Sequence, residues 1–203
     1  LVDLGHERIA FVGEPPSNGF GFSASPRREQ GFREVMAVHG LPVPPEYVKH
    51  GPHLRASGRQ MAVELFSLSS PPTAIFAASD QHALGVLEAA RDTGRVLPRD
   101  LSVIGFDDIE MASFVGLSTI RQPLELSGDR SASILLNAMQ DGPRQRAYNE
   151  PLNLELVIRS SSGVDSRIRS TLRSWSRRSD SSRKSISGDC AGSVERSVIS
   201  PSE

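Results

Sequence analysis

The feature that most constrains this chain is an alternation of short apolar runs with stretches of helical periodicity, from residue 8 to about residue 122. We expect strands at 9–13, 47–49, 73–78 and 103–107. Helices of about ten to fifteen residues separate them, and strands and helices in this order form βαβ units. The sequence therefore predicts an α/β fold, with a doubly wound parallel sheet and flanking helices.

Small or polar residues stand at the carboxyl ends of three predicted strands: Gly13 and Asp107 are the last residues of theirs, and Ser79 directly follows the third. Right-handed crossovers place the carboxyl ends of parallel strands at one edge of the sheet, where open α/β folds bind their ligands. These three residues should therefore face one crevice. Asp107 stands beside Phe106, which suits hydrogen bonding and stacking on a polyhydroxylated ligand. The alternative is that Asp107 or Asp108 only caps the next helical turn.

The first predicted helix begins at Ser25-Pro26, a capping residue followed by proline. Its inward face is expected to carry Phe32, Val35, Met36 and His39. Arg28 lies near the start of this helix, where the helix dipole disfavours a cation. A guanidinium in that position can bind hydroxyls or a carboxylate in the crevice, although a solvated surface arginine is the simpler interpretation.

Sequence signals for catalysis or a cofactor are weak. The loop 19–24 loosely matches a dinucleotide-binding glycine pattern, but residues 13–18 separate it from the preceding strand. His50 and His53 lack the spacing of a metal site, and no nucleophile elbow or Walker loop occurs. We therefore predict no catalytic residue, no metal and no cofactor. An enzyme using the glycine loop and the Asp107-Asp108 pair is an alternative.

Net charge, cysteine count and the lengths of the apolar stretches bear on where the protein is located and what it binds. The net charge of −1 gives no basic field for nucleic acid. The single cysteine, Cys190, excludes an intrachain disulfide and fits a reducing compartment. No apolar stretch approaches the roughly 18 residues of a membrane span, and the first residues lack the apolar core of a signal peptide. We expect a cytoplasmic protein without membrane contact, and a disordered Ser- and Arg-rich segment at about 165–203.

Six landmarks occur in a specific order between about residues 4 and 160: 4–13 (LGHERIAFVG), 28–33 (REQGFR), 72–80 (PTAIFAASD), 83–85 (ALG), 103–108 (VIGFDD) and 118–123 (STIRQP). Together they resemble the LacI/GalR family of bacterial transcriptional regulators, in the effector-binding domain. That resemblance implies the type I periplasmic-binding-protein fold, here mainly its C-terminal lobe.

The resemblance also implies roles for individual residues. Arg28 and Asp107 fall on family positions that contact the effector, and Gln122, in the Arg-Gln-Pro landmark, is expected to bind the effector as well. Ser79 stands where the family usually has Asn, so its contact with the effector is expected to be weaker or mediated by water. The family's homodimer interface often includes the helix after the third strand, here around Gln81 and Leu84.

Measured against that family, the chain divides into three predicted parts. Residues 1–123 form the C-terminal lobe, 124–160 the remaining helix and returning strand of the N-terminal lobe, and 161–203 a tail. The family's helix-turn-helix and most of its N-terminal lobe would precede Leu4, so operator DNA would be bound only through that missing part. One face of the helix bearing Leu135 and Leu136 would then be exposed.

These expectations combine into one functional prediction. The chain is the part of a LacI-type regulator that binds a small polar, sugar-like effector and so controls operator binding by a DNA-binding domain outside this chain. Two alternatives remain at this stage. One is a solute-binding protein of a sugar transporter, which shares the fold; the other is a non-functional truncated remnant.

Overall fold

The predicted α/β fold is confirmed by the computed structural model, which describes residues 1–16, 24–141 and 150–164. Its six-stranded sheet has the order β2-β1-β3-β4-β5-β6, and only β6 runs antiparallel to its neighbour. The strands are β1 (Ile9–Gly13), β2 (Val48–His50), β3 (Ala74–Ala77), β4 (Ser102–Asp107), β5 (Ser118–Arg121) and β6 (Glu155–Val157). The α-helices are α1 (Ala24–Val38), α2 (Arg55–Phe66), α3 (Asp80–Asp92), α4 (Glu110–Phe114) and α5 (Leu124–Asp141).

Helices cover both faces of the sheet, because successive side chains of a strand point to opposite faces. Ile9 and Phe11 of β1 pack in a cluster with Phe32 and Met36 of α1. The intervening β1 residues, Ala10 and Val12, belong to a second cluster with the buried sides of α2 and α3. The central strands are therefore buried on both faces, as parallel strands usually are.

Two glycines let α2 and α3 approach closely. A Cβ atom at Gly58 would overlap the backbone of His82 in α3, and one at Gly85 would overlap the backbone of α2 at Arg55 and Arg59. Because backbone atoms cannot move aside as a side chain can, only glycine fits at these two positions. This packing fixes the start of α3, which lies at the carboxyl edge of the sheet.

Two predicted helix faces differ from the structure. In α1, Phe32 and Met36 are buried as expected, but Val35 is exposed, and His39 lies just past the end of the helix and is exposed too. The buried stripe also includes Ser25 and Glu29, so it is centred near Met36, and Val35 lies about 100° away around the helix. A stripe shared with polar residues is not visible from hydrophobic periodicity alone.

Helix α5 begins at Leu124, earlier than the Ser127 cap suggests, and its apolar residues are not buried. Leu135 is 62% exposed, Leu136 58% and Met139 74%. The predicted exposure of this helix face is therefore present in the structure. No helix within the described ranges is long and apolar enough to cross a membrane.

The segment after β6 packs against the amino-terminal ends of β4 and β5. The amide of Val103 donates to the carbonyl oxygen of Ser161 over 2.8 Å, and the Ser161 hydroxyl accepts from the amide of Ser118 over 2.8 Å. His6 Nε2 lies 2.9 Å from the carbonyl oxygen of Gly163. Residues 161–163 thus belong to the compact unit Leu1–Ser166, although the sequence prediction placed them in the tail. Residues 165–203 of the predicted tail, with Cys190, and loop residues 19–23 lie outside the described residues.

Candidate functional site

The candidate site is built around the end of β4, at the carboxyl edge of the parallel strands. Asp107 is the last residue of β4 and pairs in register with Arg121 of β5. Asp107 and the next residue, Asp108, have φ angles of 120° and 56°. Residues other than glycine rarely adopt such values, and each costs about 1–3 kcal/mol unless the surroundings impose it. The chain therefore makes a strained turn at the position where the sequence predicts ligand contact.

Three of the predicted effector-binding residues meet at this turn. Gln122 Nε2 donates to Asp107 Oδ1 over 2.6 Å, and Arg28 Nη2 lies 3.6 Å from the same oxygen. Arg28 comes from α1, and its Nη1 also donates to the carbonyl oxygen of Ala78, at the end of β3, over 2.5 Å. The site thus joins α1 to the carboxyl ends of β3, β4 and β5. Gly13 contributes indirectly, because a Cβ atom there would overlap the side chains of Phe11 and of Ser25 in α1.

The guanidinium of Arg28 also covers the ring of Phe106, at 3.6 Å from the ring centroid. This is cation–π geometry, which adds to the forces that fix Arg28 in place. Arg28 occupies this face of the Phe106 ring, so the predicted stacking on a ligand is left to the opposite face and stays a prediction. Adjacent residues in a strand do not reveal which distant side chain lies over them.

Burial has the largest effect on the pKa values of Asp107 and Arg28. Partial burial raises the pKa of Asp107, and the nearby Arg28 and Gln122 offset this only in part. Burial likewise lowers the pKa of the Arg28 guanidinium, against the opposing effect of Asp107. The two charges compensate each other, so the pair offers donors and acceptors with little net charge. Such an arrangement suits a ligand with several hydroxyl groups.

Ser79 lies at the same edge but is engaged internally. Its side chain is 1% exposed and caps α3, accepting from the amide of His82. His82 Nε2 lies 3.0 Å from the carbonyl oxygen of Pro52, which can only accept, so this nitrogen carries the proton. Burial lowers the pKa of His82 and favours the neutral ring, whose Nδ1 then accepts from the Ser79 hydroxyl over 3.0 Å. The effector contact of Ser79 stays a prediction.

Sequence reasoning missed a charged cluster beside Asp107. Asp108 is nearly buried and lies 2.7 Å from Arg121 Nε and 2.8 Å from Arg159 Nη2. Burial opposes ionisation of Asp108, but the hydrogen bond from Arg121 and the ion pair with Arg159 outweigh it and lower its pKa. The alternative that Asp107 or Asp108 caps the next helix is wrong, because the N-cap of α4 is Ile109 and makes no side-chain bond. The two adjacent carboxylates were the only available signal.

Histidines also line this edge without the spacing that marks a site in sequence. His50 Nε2 lies 2.7 Å from Glu29 Oε2, and His53 Nδ1 lies 3.6 Å from Glu14. Within the described ranges, no group of three His, Cys, Asp or Glu side chains is placed to hold a metal ion. The two pairs instead tie β2 and the loop after it to α1 and to the end of β1.

The predicted dimer residues lie elsewhere. Gln81 and Leu84 are half-buried on the outer side of α3 and line a surface groove with Leu87, Ile109 and Met111. None of these groove residues contributes to the Arg28–Asp107–Gln122 contacts. The structure therefore separates the predicted effector-binding residues from the predicted interface.

Comparison with known proteins gives a consistent result. Residues 1–162 match the family model of the periplasmic binding protein-like domain. The probable transcriptional repressor ExuR of Bacillus subtilis is 33% identical over 164 residues, which cover 79% of this chain and 47% of the repressor. The chain thus spans about half the length of the curated relatives it matches.

Solved structures agree in fold. A LacI-family regulatory protein from Chloroflexus aggregans is 36% identical with a TM-score of 0.69, covering 80% of this chain and 57% of that one. A LacI-family regulator from Enterococcus faecium, described with bound ribose, is 29% identical with a TM-score of 0.68 and coverages of 80% and 59%.

Proposed function

Because this chain belongs to the periplasmic binding protein-like family, in its LacI-type branch of transcriptional regulators, we propose that it binds a small polar, sugar-like effector at the carboxyl edge of the sheet, in a cleft lined by Arg28, Asp107 and Gln122. Binding would control the affinity for operator DNA of a DNA-binding domain elsewhere in the regulator. An effector acts in this way only if it binds one conformation of the regulator more tightly than the other. In this proposal the chain is the effector-binding part of the regulator.

The observation that carries this proposal is the meeting of Arg28, Asp107 and Gln122 at the carboxyl edge. The guanidinium has more N–H groups than the one that donates to the carbonyl oxygen of Ala78, and the carboxylate and amide oxygens can accept from hydroxyls. The mutual compensation of Arg28 and Asp107 favours a neutral ligand over a strongly charged one. The ribose bound to the similar Enterococcus faecium regulator supports a sugar as the effector class.

We also propose that two copies associate through the groove on the outer side of α3. Gln81 and Leu84 lie half-buried there, next to Leu87 and Ile109, so pairing would remove apolar surface from water. This groove lies apart from the cleft contacts, so dimerisation and effector binding would use different residues.

The test of the effector proposal is calorimetric titration of the full chain with ribose and with a panel of other mono- and disaccharides. Arg28→Gln is expected to weaken binding at least tenfold, because a guanidinium lost from a partly buried site removes about 1.5–3 kcal/mol per charged hydrogen bond. The matched control is Arg27→Gln, the same charge change at an exposed neighbour on the same helix. Equal affinities of the two variants, or no sugar binding at all, would refute the proposal.

A further inference from the structure

The turn at Asp107 and Asp108 has positive φ angles and must be held by its surroundings. The buried carboxylate of Asp80 helps to hold it. Asp80, the first residue of α3, is fully buried. Its Oδ2 accepts from the amide of Ile109 over 2.9 Å, and its Oδ1 accepts from the hydroxyl of Thr119 over 2.6 Å. One side chain therefore connects the residue after the turn to β5, the strand that leads into Gln122.

The sequence makes room for this carboxylate at one position. A Cβ atom at Gly105 would overlap Asp80 Oδ1 and would also press on Ala83 and Leu117. Gly105 has ordinary strand geometry, so its backbone does not require glycine; the close approach of Asp80 does. The glycine of the Val-Ile-Gly-Phe-Asp-Asp run is thus explained by a residue 25 positions earlier in the chain.

Asp108 restrains the same turn from the side. Its carboxylate lies between Arg121 at the end of β5 and Arg159 just after β6, at 2.7 and 2.8 Å. Arg121 also pairs with Glu155 of β6 over 2.8 Å. The hydrogen bond from Arg121 and the ion pair with Arg159 limit the rotation of this carboxylate and so help to hold the turn.

From these contacts we infer that Asp80 and Asp108 are positioning residues, which hold the strained turn so that the Asp107 carboxylate faces Arg28 and Gln122. Asp80 is fully buried and cannot reach a ligand, and Asp108 is turned toward Arg121 and Arg159. Both act through Asp107. The inference rests on the proposed function of Asp107, but the geometry that it predicts is measurable without a ligand.

The experiment compares Asp80→Ala with Asp80→Asn in the full chain, by NMR of the Gln122 side-chain amide. That amide donates to Asp107 over 2.6 Å, so its proton signals report where the carboxylate lies. In Asp80→Ala both restraints are lost, and the signals should move to the position seen in Asp107→Ala. In Asp80→Asn the amide oxygen can still accept from Ile109 while its nitrogen donates to Thr119, so the signals should stay.

Ribose, or the sugar found to bind in the calorimetric panel, then tests the consequence. Asp80→Ala should raise the Kd about tenfold, or about 1.4 kcal/mol, while Asp80→Asn stays within about twofold. The matched control is Asp100→Ala, which also removes a carboxylate bonded to a backbone amide over 2.9 Å, that of Val96, at a site away from the cleft. It should change neither the Gln122 signals nor the Kd.

An unmoved Gln122 signal in folded Asp80→Ala would overturn the inference, as would an Asp80→Asn variant as damaged as Asp80→Ala. If Asp80→Ala does not fold, Asp108→Ala decides: its partners Arg121 and Arg159 remain, and the Gln122 signals must still move. Failure of the proposed function looks different. In that case no sugar binds the unmodified protein, while the Gln122 signals still report whether Asp80 and Asp108 position Asp107.

Discussion

Replacing Asp107 by asparagine should stabilise the protein while weakening the site. Two contacts hold the carboxylate: the 2.6 Å hydrogen bond from Gln122 and the 3.6 Å ion pair with Arg28. Exchanging a charged acceptor for a neutral one weakens the first by about 1 kcal/mol, and loss of the partly exposed ion pair costs up to about 1 kcal/mol. Burial nevertheless raises the pKa of Asp107, so desolvation of the carboxylate outweighs both contacts.

The sign of the pH dependence follows from that raised pKa. Between the pKa values of the unfolded and folded states, the native protein binds more protons, so its free energy of unfolding falls as pH rises through this window. Asparagine does not titrate, so the free energy of unfolding of the Asp107→Asn variant does not fall with pH for this reason. Its stability advantage should therefore grow with pH through the folded-state pKa of Asp107 and then stay constant, at no more than about 1 kcal/mol.

Urea unfolding followed by far-UV circular dichroism, from acidic to neutral pH, measures this difference. The single tryptophan, Trp175, lies outside the described residues, so its fluorescence is not the probe to use. Sugar binding by the same variant should be about tenfold weaker, because a neutral acceptor replaces a charged one. A variant that is less stable at every pH, or whose advantage shrinks as pH rises, would refute the reasoning.

Three further perturbations test other parts of the structure. Gly85→Ala should cost about 1–3 kcal/mol or more of unfolding free energy, measured in urea, because its Cβ meets the α2 backbone; an unchanged midpoint would contradict this packing. Burial alone would raise the pKa of Glu29, but hydrogen bonds from His50 and Arg33 outweigh burial and lower it, so stability should fall as pH drops through the folded-state pKa. Glu29→Gln should flatten that acid limb in urea titrations, and an unaltered limb would show that the contacts contribute nothing. Leu84→Arg should convert a dimer to a monomer in analytical ultracentrifugation, and a monomeric unmodified chain would refute the proposed interface.

Much of the site could be predicted because it depends on chain order alone. Apolar runs marked the strands, and the handedness of crossovers placed Asp107 near the end of β3. The contacts that remained hidden depend on packing between distant segments. Arg159 reaches Asp108 only because β6 pairs antiparallel with β5 in one register. The Ser79 hydroxyl is engaged by the amide and the ring of His82, and that ring also contacts the carbonyl group of Pro52, 30 residues earlier in the chain. Neither contact produces a pattern of residue spacing that could be recognised in the sequence.

The contact between His6 and Gly163 makes the molecule suitable for circular permutation. These residues are 157 positions apart, yet their side chain and carbonyl group lie 2.9 Å from each other, at the edge of the sheet opposite the Arg28–Asp107 cleft. A short linker could join the two segments covalently, with new termini opened in the exposed turn at Gly94. Such a circular permutant would keep the contacts among Arg28, Asp107 and Gln122, so a fluorescent reporter could be fused at the new ends without touching these three residues.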